Sequence, residues 1–331
     1  MPPPPVPLVR VERGGVDEAV HLGEVVVVNR AGEVRAAAGS IERLTYFRSC
    51  AKPFQALAGL RAGLIGAFSL EAEHVAIMAA SHNGEPRHLE VARDLLQRAN
   101  VPEGALKCGA HWPYYEPAAA VVRRKMDEPV AIFNNCSGKH AGMLAAACAT
   151  DQPLDTYLDP AHPVQGHIRE AIEEFTGTPA MAIRYGVDGC SAPNAAVPLA
   201  DMARAFARLV TTDDSNAQLV VEAMTAHPFL VGGTDRFDTR LMEVTHGRLL
   251  AKGGAAGAQC LANRDTGEGL AIKLESGDGT WTAVAAMAAL QQLGWLRPAA
   301  IEALHSFAHP TLRNYRKLTV GRVEPVLQLS R

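Results

Sequence analysis

The sequence predicts an α+β protein in which strands from the N- and C-terminal parts of the chain share one antiparallel sheet packed with helices. Three observations carry this prediction. A β-branched hairpin lies near the start, three strand-like runs follow one another closely near the end, and the long middle region has apolar residues recurring at helical spacing. Of the 331 residues, 48% are hydrophobic and 20% charged, enough for a core and unlike the composition of a disordered chain.

Taken in order, residues 1–15 read as a proline-rich leader, and residues 16–331 as a single domain with a sheet part from both ends and a mainly helical centre. Met1 to Pro7 has neither the basic patch nor the apolar run of a signal peptide, so secretion is not expected. Val25 to Asn29 and Val34 to Ala38 predict a hairpin turning at Asn29-Arg30-Ala31-Gly32. Pro53, ahead of Phe54, Leu57, Leu60 and Leu64, marks the first turn of a helix, and Ser49 and Lys52 sit at its entrance. Helices are expected over Glu71 to Ala80, Pro86 to Ala99, Gly138 to Ala149, Val164 to Phe175, Ala195 to Val210, Ser215 to Ala226, Trp281 to Leu293 and Pro298 to Phe307. Val130 to Phe133 and Ala180 to Arg184 read as short strands. Arg248 to Lys252, Ala258 to Ala262 and Gly269 to Leu274 read as an antiparallel meander.

Charge and composition exclude several functions. With 32 basic and 35 acidic side chains the net charge is −3, whereas nucleic-acid binders are usually basic, so no nucleic-acid partner is expected. The longest uncharged run, Gly279 to Leu296, is broken by Thr280, Thr282, Gln291, Gln292 and Gly294 and predicts a buried helix, with no membrane partner. Six scattered cysteines without a C-x-x-C pair suit reduced thiols and a cytoplasmic location.

Two constellations carry chemistry. In Arg48-Ser49-Cys50-Ala51-Lys52, a serine and a lysine three apart on a helix share a face, so an amine can take the hydroxyl proton if burial or a second cation depresses its pKa. Alone, Ser49 equally reads as an N-cap. Ser81-His82-Asn83 and Ala251-Lys252-Gly253-Gly254-Ala255 follow in the order of the S-x-N and K-[ST]-G elements of serine-lysine hydrolases, with loop and turn as the alternative readings. The second constellation is Asn135-Cys136-Ser137-Gly138-Lys139-His140 with Asp188-Gly189-Cys190. It reads either as structural thiols or as a soft metal site. A P-loop is excluded, since no glycine stands five residues before Gly138 and no Ser or Thr follows Lys139.

Arg48-Ser49-x-x-Lys52-Pro53, Ser81-His82-Asn83-Gly84-Glu85, Cys136-Ser137-Gly138-Lys139-His140 and Asp188-Gly189-Cys190-x-x-Pro193 together resemble the L-asparaginase II, or rhizobial-type class 3, family, from the Val25 hairpin to the Trp281 helix. The resemblance implies a serine β-lactamase/glutaminase-like fold, a homodimer, and hydrolysis of L-asparagine to L-aspartate and ammonia. It implies Ser49 as nucleophile with Lys52 as base, and Ser81 with Lys252 as a second pair, Lys273 being the alternative lysine. It also implies zinc, at partial occupancy, on Cys136, Lys139 and Cys190, and no organic cofactor. Gly232-Gly233-Thr234-Asp235 superficially resembles the threonine asparaginase signature but reads as a loop and N-cap.

An amino-acid substrate needs matching charges. Arg48 is the candidate for its carboxylate and Asp188 for its ammonium group, with Asn83 and His140 as hydrogen-bonding partners, and the backbone N–H groups of Ser49 and Ala255 as oxyanion donors. The competing readings are a glutaminase or other serine-lysine amidohydrolase, and a noncatalytic zinc- or amino-acid-binding protein on the same fold.

Overall fold

The computed structural model describes residues 3–330. Its strands are β1 (Val6–Arg13), β2 (Val16–Val28), β3 (Val34–Ala38), β4 (Leu44–Tyr46), β5 (Arg184–Val187), β6 (Pro193–Pro198), β7 (Leu249–Gly254), β8 (Ala258–Asn263), β9 (Glu268–Leu274), β10 (Thr311–Arg313) and β11 (Thr319–Pro325). The main sheet runs β10-β11-β1-β2-β9-β8-β7, with β3 also paired to β2. Both chain ends therefore build one antiparallel sheet, as the α+β class requires. Among the described residues no helix is long and apolar enough to cross a membrane.

The chain separates into two compact units. The first comprises Met1–Cys50, Ala196–Thr211 and Arg240–Arg331, the second Ala51–Ala195 and Thr212–Thr239. In the first unit β9 is buried along both faces, from Gly269 to Leu274, the pattern of a covered central strand. The helix Leu199–Leu209 packs on β9 and β2, and comes so close at Gly269 that an added Cβ would lie 2.0 Å from Ala203 O. The second unit is helical, with Lys52–Arg61, Ala72–Met78, Ser137–Ala149 and Pro163–Thr176 among its helices. An added Cβ at Gly138 would lie 2.3 Å from Ile77 O, and one at Gly142 would lie 2.7 Å from Met78 Cγ. Two glycines one turn apart thus let the helix Ser137–Ala149 rest directly on Ala72–Met78.

Several sequence expectations are corrected. β1 begins at Val6, inside the segment read as a leader, because Leu8 and Val9 are fully buried and the strand pairs with β2 and β11. Val130 to Phe133 is not a strand but a 3₁₀ turn over Ala131–Phe133, and Ala180–Ala182 is another, with strand only from Arg184. The helix expected from Ala195 starts at Leu199. Pro198 forces Val197 into extended geometry, and Ala196 to Pro198 instead pair with β4. The expected helix from Pro298 to Phe307 breaks at Leu304 into Pro298–Ala303 and His305–Ala308.

Candidate active site

Lys52 begins its helix, with Pro53 behind it in the first turn, and is 1% exposed. Its Nζ donates to Ala80 O at 2.6 Å, Ser81 Oγ at 2.9 Å and Asn135 O at 3.3 Å. Burial lowers its pKa, and the Lys139 cation pushes the same way, partly opposed by Cys136 and Cys190. The amine and the Ser81 hydroxyl are thus within proton-transfer distance in a dry setting.

Ser81 is held there by its backbone. It follows the helix Ala72–Met78, and Val231 and Gly232 accept the N–H groups of Ser81 and Asn83, both at 2.9 Å. The Gly232-Gly233-Thr234 loop closes over this stretch. Asn83 Nδ2 donates to Thr234 O at 2.9 Å, while Thr234 N and Oγ1 donate to the two oxygens of Glu85 at 2.8 and 2.6 Å. Only glycine fits at 233, where φ is +117° and a Cβ would lie 2.5 Å from Glu85 Oε1. The half-buried side chain of Arg236 makes one hydrogen bond, to Asn83 Oδ1 at 3.3 Å, and among the described residues no ion pair. Its remaining donors stay available to an anion.

The thiol constellation lies beside Lys52. Cys136 caps the helix Ser137–Ala149, its N–H donating to Asn134 Oδ1 at 2.8 Å, and Lys139 Nζ donates to Cys190 Sγ at 2.8 Å. A hydrogen bond from Cys190, with Lys52 and Lys139 nearby, holds Cys136 well below the usual thiol range. The same pairing, together with burial, pushes Cys190 up. Asp188 Oδ2 lies 3.8 Å from Cys190 Sγ. Among the described residues no group of three or more His, Cys, Asp or Glu side chains is arranged to hold a metal. The Cys136, Lys139, Cys190 trio completes three donors only by counting a lysine. Two sulfurs and an amine within hydrogen-bonding reach fit a soft divalent ion, which would displace the protons they now share.

His140, on the same helix, is fully buried, with Nδ1 2.7 Å from Tyr157 Oη. Burial, with Lys139 and Lys52 nearby, holds it well below the usual histidine range.

In the first unit, residues 48–50 lie in a 3₁₀ turn. Arg48 has φ +52°, a left-handed backbone that costs a non-glycine residue about 1–2 kcal/mol, and the half-buried Ser49 follows it. The turn leans on β7. Cys50 Sγ is 3.1 Å from Lys252 O, and a Cβ at Gly254 would lie 3.1 Å from both Cys50 Sγ and Phe47 O. The Gly253-Gly254 pair therefore serves close approach. Lys252 is 1% exposed and donates to Gly253 O at 2.7 Å, and Ala255 is exposed in the turn after β7. Lys273, whose Nζ is spent on Ala256 O and Leu274 O, caps that turn. Pairing of Lys252 with Cys260 and Ala271, and of Gly254 with Ala258 and Lys273, puts both lysines on one sheet face.

The predicted residues thus fall into two groups: Lys52, Ser81, Asn83, Cys136, Lys139, His140, Asp188 and Cys190 in the second unit, and Arg48, Ser49, Lys252, Ala255 and Lys273 in the first. Sequence reasoning missed Tyr157, Glu85, Thr234 and Arg236. The S-x-N-G-E run already contained Glu85, but nothing in the spacing tied it to a loop 149 residues away.

The sequence model of the family described as L-asparaginase II matches residues 9–325. Solved structures similar to the chain include a β-lactamase from Mycobacterium bovis, at 17% identity and a TM-score of 0.43, covering 82% of this chain and 94% of that one. Another is EstCE1, described as a hydrolase with promiscuous acyltransferase activity, at 11% identity and a TM-score of 0.36, covering 78% and 90%. No curated protein matches.

Proposed function

We propose, from the premise that this chain belongs to the L-asparaginase II family of hydrolases, that it converts L-asparagine to L-aspartate and ammonia through an acyl-serine intermediate. The observation that carries the reading is the buried Lys52, its pKa lowered and its Nζ 2.9 Å from Ser81 Oγ. In this reading neutral Lys52 takes the Ser49 proton as Ser49 Oγ attacks the side-chain amide carbon. The tetrahedral oxyanion is met by the N–H groups of Ser49 and Ala255. Ser81, backed by Lys52 and Lys252, hands a proton to the departing nitrogen, and ammonia leaves. Water then attacks the ester, Lys52 takes the water's proton, and Ser49 leaves with a proton returned to its oxygen.

Arg48 and Arg236 are the guanidinium candidates for the substrate carboxylate, and Asp188 the candidate for its ammonium group. Zinc, if bound, is held by Cys136, Lys139 and Cys190 and supplies a positive charge that orients an anionic substrate group. A homodimer remains part of the same proposal.

Ammonia release measured on L-asparagine, L-glutamine and a buffer blank tests the reading. Turnover is expected on asparagine and is abolished in Ser49→Ala, while faster release from glutamine, or a Ser49→Ala protein that still turns over, overturns it. Zinc found by elemental analysis in the wild type and lost in Cys136→Ser supports the metal assignment, and its absence from the wild type removes it.

A further inference from the structure

Tyr157 lies in the irregular stretch between the helices Ser137–Ala149 and Pro163–Thr176, with its side chain fully buried. Its phenol oxygen is 2.9 Å from the backbone N–H of Lys107, which can only donate, and 2.7 Å from His140 Nδ1. The two rings meet edge-on. Among the described residues these are the hydroxyl's hydrogen-bond partners, and His140 Nε2 is buried with none.

Two proton arrangements satisfy these distances. In one, His140 carries its proton on Nδ1 and donates to Tyr157, which leaves two buried groups unmatched: the Tyr157 hydrogen and the bare Nε2 lone pair. In the other, Tyr157 donates to Nδ1 and the proton sits on Nε2, which leaves one group unmatched, the Nε2–H. The second arrangement wastes fewer buried hydrogen bonds and is favoured. Its single unmatched group is a donor, one residue along the chain from Lys139.

We propose that Tyr157 is a positioning residue that locks His140 as the Nε2–H tautomer, so that the ring presents a donor to a carboxylate or carboxamide oxygen of the substrate. The identity of that substrate rests on the asparaginase reading, whereas the tautomer does not. A fixed donor favours an oxygen at this point over a nitrogen-bound hydrogen, so the arrangement sets which end of an amino-acid amide His140 touches. Lys107 takes part through its backbone, which orients the phenol by filling one of its acceptor positions.

Long-range proton–nitrogen correlation on full-length protein with ring-labelled histidine reads the tautomer directly, the His140 signals being those lost in His140→Gln. Wild type is expected to show a protonated Nε2 and a bare Nδ1. In Tyr157→Phe that preference is lost, and KM for L-asparagine rises about tenfold, the worth of one buried hydrogen bond, while kcat stays within about twofold. His140→Gln, which keeps an N–H near the ε position, retains more affinity than His140→Asn, which keeps one near the δ position. A protonated Nδ1 in wild type overturns the proposal, as does Tyr157→Phe with unchanged spectrum and KM. If Tyr157→Phe does not fold, the wild-type spectrum and the Gln/Asn comparison decide. Failure to release ammonia from asparagine removes the asparaginase reading alone.

Discussion

A lysine ammonium taken out of water must be neutralised by partners or give up its proton, and Lys52 stands where both pressures act. Burial and Lys139 push it toward the neutral form, while the Cys136 thiolate pulls it back. Lys52→Met keeps the unbranched stem and removes the amine. We expect kcat to fall by about 10² to 10⁴, the usual worth of a proton-transfer group, and the melting temperature to fall as well, because Ala80 O, Ser81 Oγ and Asn135 O lose their shared donor. Steady-state ammonia release beside a thermal scan checks this, and activity within tenfold of wild type removes Lys52 from proton transfer. Ser49 and Lys52 could be picked out as candidates in the sequence because three-residue spacing before a helical proline is local information. The 2.9 Å approach of Ser81 to Lys52 was not, since a side chain 29 positions away is placed by helix packing that no spacing encodes. The left-handed Arg48 was equally hidden, because nothing about an arginine announces positive φ.

Helix packing sets that approach. The helix Ser137–Ala149 carries Lys139 and His140 and lies on Ala72–Met78 through Gly138 and Gly142. Gly142 faces Met78 side-chain atoms, which can move, whereas Gly138 faces the Ile77 carbonyl, which cannot without breaking its own helix. Gly138→Ala is therefore expected to cost about 1–3 kcal/mol in urea unfolding and to reduce activity by displacing Cys136 and Lys139. A variant of wild-type stability would contradict the packing. Asp214 offers a pH-dependent counterpart remote from this chemistry. It caps the helix Ser215–Ala226 with bonds from Asn216 N at 2.7 Å and Ala217 N at 3.2 Å, and also pairs with Arg61. Burial raises its pKa, but Arg61 and the two capped N–H groups outweigh burial and hold it below the usual aspartate value. A carboxylate with a depressed folded pKa stabilises above its unfolded pKa and loses that stability as pH falls through the folded one. Asp214→Ala should thus cost about 1 kcal/mol at neutral pH and nothing at pH values well below 3.8, which unfolding curves at the two extremes resolve. Caps of this kind were readable, as were helices with a clear apolar period. The start of the helix at Leu199 was misread because the alanines after Pro193 suit helix and strand alike, and pairing with β4 decided between them.

At the scale of the molecule the sheet was half legible. Its meander, β7 to β9, and the β2–β3 hairpin announced themselves by β-branched runs and turn residues. β1, β10 and β11 did not, because they are proline-flanked or carry charges, and β1 and β11 pair with each other across more than 300 positions of the chain. β1 is the test of that statement. It lies between β11 and β2, with Val9 opposite Pro325 on one side and His21 on the other, so its removal opens both ladders at once. Leu8, Val9 and Val11 are buried, each worth about 1.5–3 kcal/mol. Their sum, before any lost backbone bond, approaches the 5–15 kcal/mol that typically holds a domain together. Removing residues 1–5, which precede the strand, is expected to shift the melting temperature by no more than about 2 °C. Removing residues 1–13 is expected to abolish the cooperative transition and the soluble yield. Equal melting temperatures for the two truncations would return this segment to the role of a leader and break the central pairing of the sheet.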